Sequence, residues 1–373
     1  LGLIVFLWGQ KFLYGHADPS DPEKLKKPVL GPLSPEWLIY IGTLPVIALA
    51  WYMVQHEHIV LVSQNIMLIF SIVGILAFAM FYHQENTARQ NILVAGGIAV
   101  VLGTIAALVG TDVISVSEGL TNTMIYLAIA ALIGFIVFGF IKHNSDEYGR
   151  TVVLMILIVS TIVFWALFEQ SAGSMTLYAD RVVDRSLAGG GEVRASQFGS
   201  LNAGFIMLLA IPFAWLWTFL DRYNANPSVP VKFALGIMFA GFGFGALVFG
   251  AESANGAAQV AMIWLVLAYL LHTMGELMLS PVGLSAVTKL SIGRVVGVSM
   301  GTWFLATALS ETVATRIARL AAIDTSNTEE ADPAALLATY TELFEFLMWL
   351  GIGTGLFMLL ISPVLKRWMH GVR

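Results

Sequence analysis

Val152–Gln170 reads VVLMILIVSTIVFWALFEQ, so seventeen residues pass before the first charge, Glu169. The run shows no strand-like alternation of polar and apolar residues. It continues to Tyr178, giving Val152–Tyr178 a length that exceeds the roughly 20 mostly apolar residues needed to cross hydrocarbon. A Glu near the middle of such a helix costs about 2.5–3.5 kcal/mol even on the lenient insertion scale, so one that is kept faces a cavity or a partner. This one stretch therefore states two things: a membrane helix, and a carboxylate with work to do inside it.

The rest of the chain agrees with the first of these. Its 373 residues are 58% hydrophobic and 12% charged, with 35 Gly and no Cys. A soluble domain carries about twice that charge. Disorder, a disulfide scaffold and Cys-based metal sites are excluded. With 19 Lys+Arg, a net charge of −5 and no large basic cluster, nucleic acid is excluded as a partner. A transmembrane barrel would need alternating segments of about ten residues, and these runs are longer and unbroken. The sequence predicts an all-α polytopic membrane protein.

Ten complete spans are predicted. Four precede the opening stretch: Trp37–Val54, Ile59–Tyr82, Ile92–Thr111 and Thr121–Ile141. After Val152–Tyr178 come Phe198–Leu220, Phe233–Ala251, Gln259–Val287, Val298–Ala318 and Thr341–Leu365. The apolar Leu1–Leu7 has neither a Met nor a charged flank and reads as part of a helix rather than a signal peptide. Taking Gly9–Glu36 as cytoplasmic and alternating from there puts fourteen of the nineteen Lys and Arg on one side. That bias supports both the span count and a cytoplasmic C-terminus. The expected organisation is the end of a helix at 1–14 and a Pro-, Asp- and Lys-rich cytoplasmic linker at 15–36. Four further membrane helices over 37–142, a six-helix bundle over 151–366 and a short tail at 367–373 follow. Arg181–Gln197, with Gly189, Gly190 and Gly191, reads as a flexible outer loop.

In the four spans before Val152 the strongly polar residues sit at the ends, and after it charged residues appear well inside the helices. Trp165 and Glu169 stand four residues apart, so an indole and a carboxylate share one helix face. His272, Glu276 and Ser280 form a stripe at the same spacing on another helix. That stripe ends at Pro281, whose ring removes one hydrogen bond and predicts a broken helix beside the carboxylate, the usual build of a transporter site. Asn202 adds an amide early in Phe198–Leu220, and Trp303 sits one turn into Val298–Ala318. Bland readings stand beside these: Trp165 and Trp303 as packing aromatics, Asn202 as helix–helix glue, Ser280 bonded to its own helix, His272 as a satisfied core histidine. Glu252, Glu311, Glu342 and Glu345 fall near outer ends, where a carboxylate reaches headgroups cheaply. No HExxH or Walker-type loop appears, so a metalloprotease and an ATP-driven pump are unsupported, as is an enzyme in general.

Four stretches together resemble the proton-coupled oligopeptide transporters, a branch of the major facilitator superfamily. Phe164–Ser174 looks like that family's seventh-helix motif and Gly275–Ser285 resembles its tenth-helix motif. Gln197–Asn202 and Met300–Leu305 are similar to its eighth- and eleventh-helix stretches. The resemblance implies that Glu276 meets the amino terminus of a bound peptide with Ser280 beside it. It further implies that Trp165, Asn202 and Trp303 line the peptide cavity and that Glu169 takes part in proton coupling. His272 remains a candidate for a proton or substrate contact. The fold implied is the C-terminal six-helix half of a major facilitator, preceded by four linker helices where bacterial members typically carry two. The family's first-helix acidic–Arg–aromatic motif and fourth-helix lysine are not in this chain, so the N-terminal half is expected as a partner from the same protein. The expected function is proton-driven symport of di- and tripeptides across the cell membrane by alternating access, with protons as coupling ion and no other cofactor. The alternative keeps the fold but changes the cargo to a drug-like or amine-bearing compound. A receptor or scaffold without transport leaves the buried carboxylates unexplained.

Overall fold

The computed structural model describes residue 9 and residues 22–29, 31–81, 133–134, 136–141, 145–187, 189–320 and 332–372. The expected span Ile92–Thr111, most of Thr121–Ile141 and nearly all of the N-terminal apolar stretch lie outside the described residues. The chain divides into two compact units, Leu1–Val60 and Leu61–Arg373.

In the first unit a short helix, α1 (Pro22–Lys26), precedes α2 (Pro35–Val54). Ser34 caps α2 by accepting from the Trp37 N–H, and Pro35 starts the helix where its missing N–H costs nothing. Leu44, Ile47 and Trp51 of α2 are exposed, as side chains meant for lipid would be outside a bilayer. The following helix, α3 (Glu57–Phe81), runs on into the second unit.

There Gln64 accepts from the Thr312 hydroxyl at 3.1 Å, and Leu68, Ile75 and Leu76 join the core of a bundle. The bundle comprises α4 (Ser145–Phe168), the short α5 (Ser174–Arg181), α6 (Ser200–Arg222), α7 (Val229–Glu252), α8 (Met262–Leu290), α9 (Val296–Leu320) and α10 (Pro333–Trp368). Each bundle helix falls on a predicted span, although α4 and α10 begin about two turns early, at Ser145 and Pro333, and the span Val152–Tyr178 is divided between α4 and α5. Among the described residues six helical segments are long and apolar enough to cross a membrane: Ser63–Met80, Ser145–Arg181, Ala195–Arg222, Val229–Glu252, Met262–Leu290 and Pro333–Trp368. The helix α9 is absent from that set because its Ser and Thr residues and Glu311 lower the hydropathy of its sequence.

Helices α7, α8 and α10 form the tightest part of the bundle. A Cβ on Gly241 would lie 2.8 Å from the Ile352 nitrogen, and one on Gly275 would lie 2.6 Å from the Gly236 carbonyl. Backbone touches backbone at both crossings, the close approach that small residues permit where lipid supplies no hydrophobic drive. By contrast α6 buries little: Met207 is 81% exposed and Ile211 79%.

The loop after α5 differs from the expected flexible segment. It is a hairpin in which Val193 N–H donates to Arg185 and Leu187 N–H to Gly191, turning at Gly190 and Gly191 with φ of +83° and +101°. Glycine takes those angles without Cβ strain, so the glycines make the turn rather than looseness. Arg185 sits between Asp180 (3.1 Å) and Glu192 (2.9 Å). Asp184 accepts from the Ser186 N–H and hydroxyl, which holds its carboxyl below the usual range. Two short parallel strands, β1 (Val183–Asp184) and β2 (Val260–Ala261), tie this hairpin to the start of α8.

Candidate functional site

Both predicted carboxylates are half-buried, and they occupy opposite kinds of helix. Glu169 opens a 3-10 turn, Glu169–Ser171, that separates α4 from α5. Glu276 lies inside α8, which is helical without interruption from Met262 to Leu290. The expected break at Pro281 is therefore corrected: the helix runs through the proline, and the interruption lies beside the other carboxylate. A single Pro removes one N–H and leaves the flanking ladder in place, so a helix clamped by neighbours continues past it.

Around Glu276 the polar contacts are direct. Asn202 Nδ2, reaching across from α6, donates to Glu276 Oε2 at 2.8 Å and to Thr273 Oγ1 at 3.2 Å. The Thr273 hydroxyl in turn donates to the Tyr269 carbonyl at 2.8 Å, which leaves its lone pairs facing the amide. The amide orientation is thus fixed with its N–H groups toward the carboxylate. Thr273 is a residue the sequence reading missed. Its position three before Glu276, on the same helix face, was the available signal. Ser280 lies one turn beyond Glu276 and is half-buried.

Glu169 shares its face with Trp165, whose ring meets those of Phe164 and Phe168 edge-on at 5.3 and 5.2 Å. The indole N–H of Trp165 has no acceptor among the described residues. Glu311 lies on α9 one turn before Ala314, whose carbonyl accepts from Gln170, the residue after Glu169. Glu311, which the sequence placed near a helix end, thus stands on the stretch of α9 that meets the Glu169 turn.

The remaining candidates sit apart. His272 is 1% exposed in the seam between α7 and α8, where its Nε2 lies 3.0 Å from the Ala240 carbonyl and its ring 4.8 Å from that of Phe244. A carbonyl at that distance makes Nε2 the protonated nitrogen. Trp303 is 4% exposed, seated on Gly283 of α8 and 6.2 Å from the Phe233 ring. Glu252, Glu342 and Glu345 line a separate groove of about 500 Å³ between α7 and α10. Among the described residues no cluster of His, Cys, Asp or Glu has the makings of a metal site.

Known proteins are similar to this chain in sequence and fold. The family described as PTR2, POT family, matches residues 46–334. An uncharacterized transporter, YclF of Bacillus subtilis, is 34% identical over 295 residues, 77% of this chain and 55% of its own length. The peptide transporter YePEPT of Yersinia enterocolitica is 37% identical over 240 residues, 62% of this chain and 47% of its own. A crystal structure of a peptide transporter POT in complex with sulfate superposes with a TM-score of 0.53 at 31% identity, covering 78% of this chain and 55% of that one. The chain spans about half the length of the curated relatives it matches. The family match runs from residue 46 to the start of α10 and includes all four motifs, and with it the resemblance they carry is borne out: the chain is a membrane protein that belongs to the POT family of transporters.

Proposed function

We propose that the chain is the C-terminal part of a proton-driven symporter for di- and tripeptides that works by alternating access in the cytoplasmic membrane. The observation that carries this reading is the Asn202–Glu276 pair, 2.8 Å apart and half-buried between α6 and α8. A zwitterionic peptide brings an ammonium group, and a carboxylate whose neighbours are already oriented binds it without the cost of ordering them. The amide donates to one carboxylate oxygen, leaving the other for the peptide, with Ser280 beside it. Trp165 supplies an aromatic wall, which accepts many side chains because every apolar group packs against a ring, while Trp303 packs on Gly283 of α8. Relatives named as peptide transporters support the cargo class.

Glu169 is the coupling group in this reading. It stands where α4 is interrupted, at the junction of two helices, so taking up a proton neutralises a carboxylate at the point where the helix changes course. His272 is committed to the Ala240 carbonyl and contributes packing. The excess of Lys and Arg on one side of the spans orients the C-terminus to the cytoplasm.

The test is peptide-stimulated proton uptake by the full-length transporter in proteoliposomes, together with Glu276→Gln. Removing a charged partner of a buried ammonium weakens peptide affinity about tenfold or more. Unchanged affinity removes Glu276 as the anchor, and proton uptake that responds to another amine-bearing compound but to no peptide moves the cargo while keeping the fold.

A further inference from the structure

The interruption beside Glu169 is held by side chains that the coupling chemistry leaves unused. Gln170 is fully buried; its Nε2 donates to the Ala166 carbonyl one turn back (3.2 Å) and to the Ala314 carbonyl on α9 (3.0 Å). Its Oε1 accepts from the Ser174 hydroxyl at 2.8 Å, at the first residue of α5. The Ser171 carbonyl, stranded between the two helices, accepts from the Tyr269 phenol of α8 at 3.1 Å and from Thr176 at 2.7 Å. A buried carbonyl released by a break must find a donor, and here the donors are tethers to particular neighbours. One tether runs to α9 and one to α8, the helices that carry the carboxylates Glu311 and Glu276.

We propose that Gln170 and Tyr269 are positioning residues for the coupling carboxylate: they hold the Glu169–Ser171 turn against α9 and α8 and so fix Glu169 relative to Glu311 and Glu276 while protons load. This rests on the symport reading, in which Glu169 couples. Neither side chain touches the peptide or the transferred proton. Each acts through the turn.

The experiment uses the full-length transporter in liposomes and two variants. Tyr269→Phe removes one hydroxyl and keeps the ring, and Gln170→Leu removes the amide. A hydrophobic carbodiimide, which reacts with protonated carboxyl groups, labels Glu169 across a pH series read by mass spectrometry, and peptide counterflow is followed in parallel. The midpoint of Glu169 labelling moves by about 0.7 pH unit or more in each variant, the equivalent of one net hydrogen bond, while counterflow persists. Midpoints coinciding with wild type, with labelling and counterflow intact or lowered together, overturn the proposal and leave a purely structural latch. Should Gln170→Leu fail to fold, Tyr269→Phe carries the test alone. Wild-type Glu169 that labels equally at every pH overturns the symport reading itself, and the positioning role falls with it; that result is read in the unmutated protein and is distinct from a failure in the variants.

Discussion

The helices carrying the two central acids are built on opposite plans. On the Glu169 side the helix stops at Phe168, makes a 3-10 turn and restarts at Ser174, with no proline anywhere in the interruption. On the Glu276 side α8 contains Pro281 and runs on as a helix to Leu290. What decides is the surroundings. The turn after Phe168 is bonded by Gln170, Ser174, Thr176 and Tyr269, so its freed backbone groups are satisfied. By contrast α8 lies backbone to backbone on α7 at Gly236 and Gly275, which leaves it little room to bend. Helix breaks in a membrane form where side chains can replace the lost ladder, and helices continue where a neighbour clamps them.

The largest effect expected from this contrast is functional. Glu169→Gln removes the titration but keeps the size of the side chain, and it abolishes proton-driven accumulation while peptide counterflow survives in part. Both are read in proteoliposomes with and without a pH gradient. A Glu169→Gln transporter that still concentrates peptide against its gradient would reverse the assignment, leaving the interrupted helix with no coupling role. Next in size is the clamp on the uninterrupted helix. Gly275→Ala places a methyl 2.6 Å from the Gly236 carbonyl, a contact that only backbone movement relieves. Overpacking of this kind costs about 1–3 kcal/mol and lowers the melting temperature in detergent. A melting temperature equal to that of the parent would show that α7 and α8 are free to slide and that something else keeps α8 straight.

Much of this was legible in the sequence because lipid imposes a simple rule: an apolar run of sufficient length is a helix. The runs beginning at Phe198, Phe233, Gln259, Val298 and Thr341 each became one helix, and the run beginning at Val152 became two. The Asn202–Glu276 contact joins two residues that the sequence had singled out separately, one by its amide and one by its depth. The interruption at Glu169 was not legible, since it depends on a phenol at Tyr269 and a carbonyl at Ala314, neither adjacent in the chain. Pro281 misled for the complementary reason. A proline advertises a break locally, but whether the helix yields is set by Gly236 on another helix. The hairpin after α5 was hidden in the same way: three consecutive glycines look loose until Arg185 and the β1–β2 pairing are seen to hold them.

A smaller effect tests the fine structure around Glu276. Thr273→Val keeps the shape but deletes the hydroxyl that accepts from Asn202. The amide then has one restraint fewer, and peptide affinity falls about threefold, the worth of part of one neutral hydrogen bond. Isothermal titration with a dipeptide reads this; a tenfold or larger loss would promote Thr273 from orienting the amide to contacting the peptide.

The smallest expected effect separates the two plans most cleanly. If α8 is held straight by α7, then Pro281→Ala merely restores one backbone hydrogen bond, from residue 281 to the Leu277 carbonyl. The gain is at most about 1 kcal/mol, because the clamp already supplies the geometry. Peptide affinity and turnover stay close to those of the parent, since Asn202 and Thr273 orient Glu276 without any contribution from the proline. If instead Pro281 lets α8 bend during the transport cycle, the same substitution slows turnover while raising the melting temperature, the pattern of a helix stiffened against its own motion. That pairing of a stabler protein with a slower cycle would place the moving element on the Glu276 side and make the interruption at Glu169 a static feature.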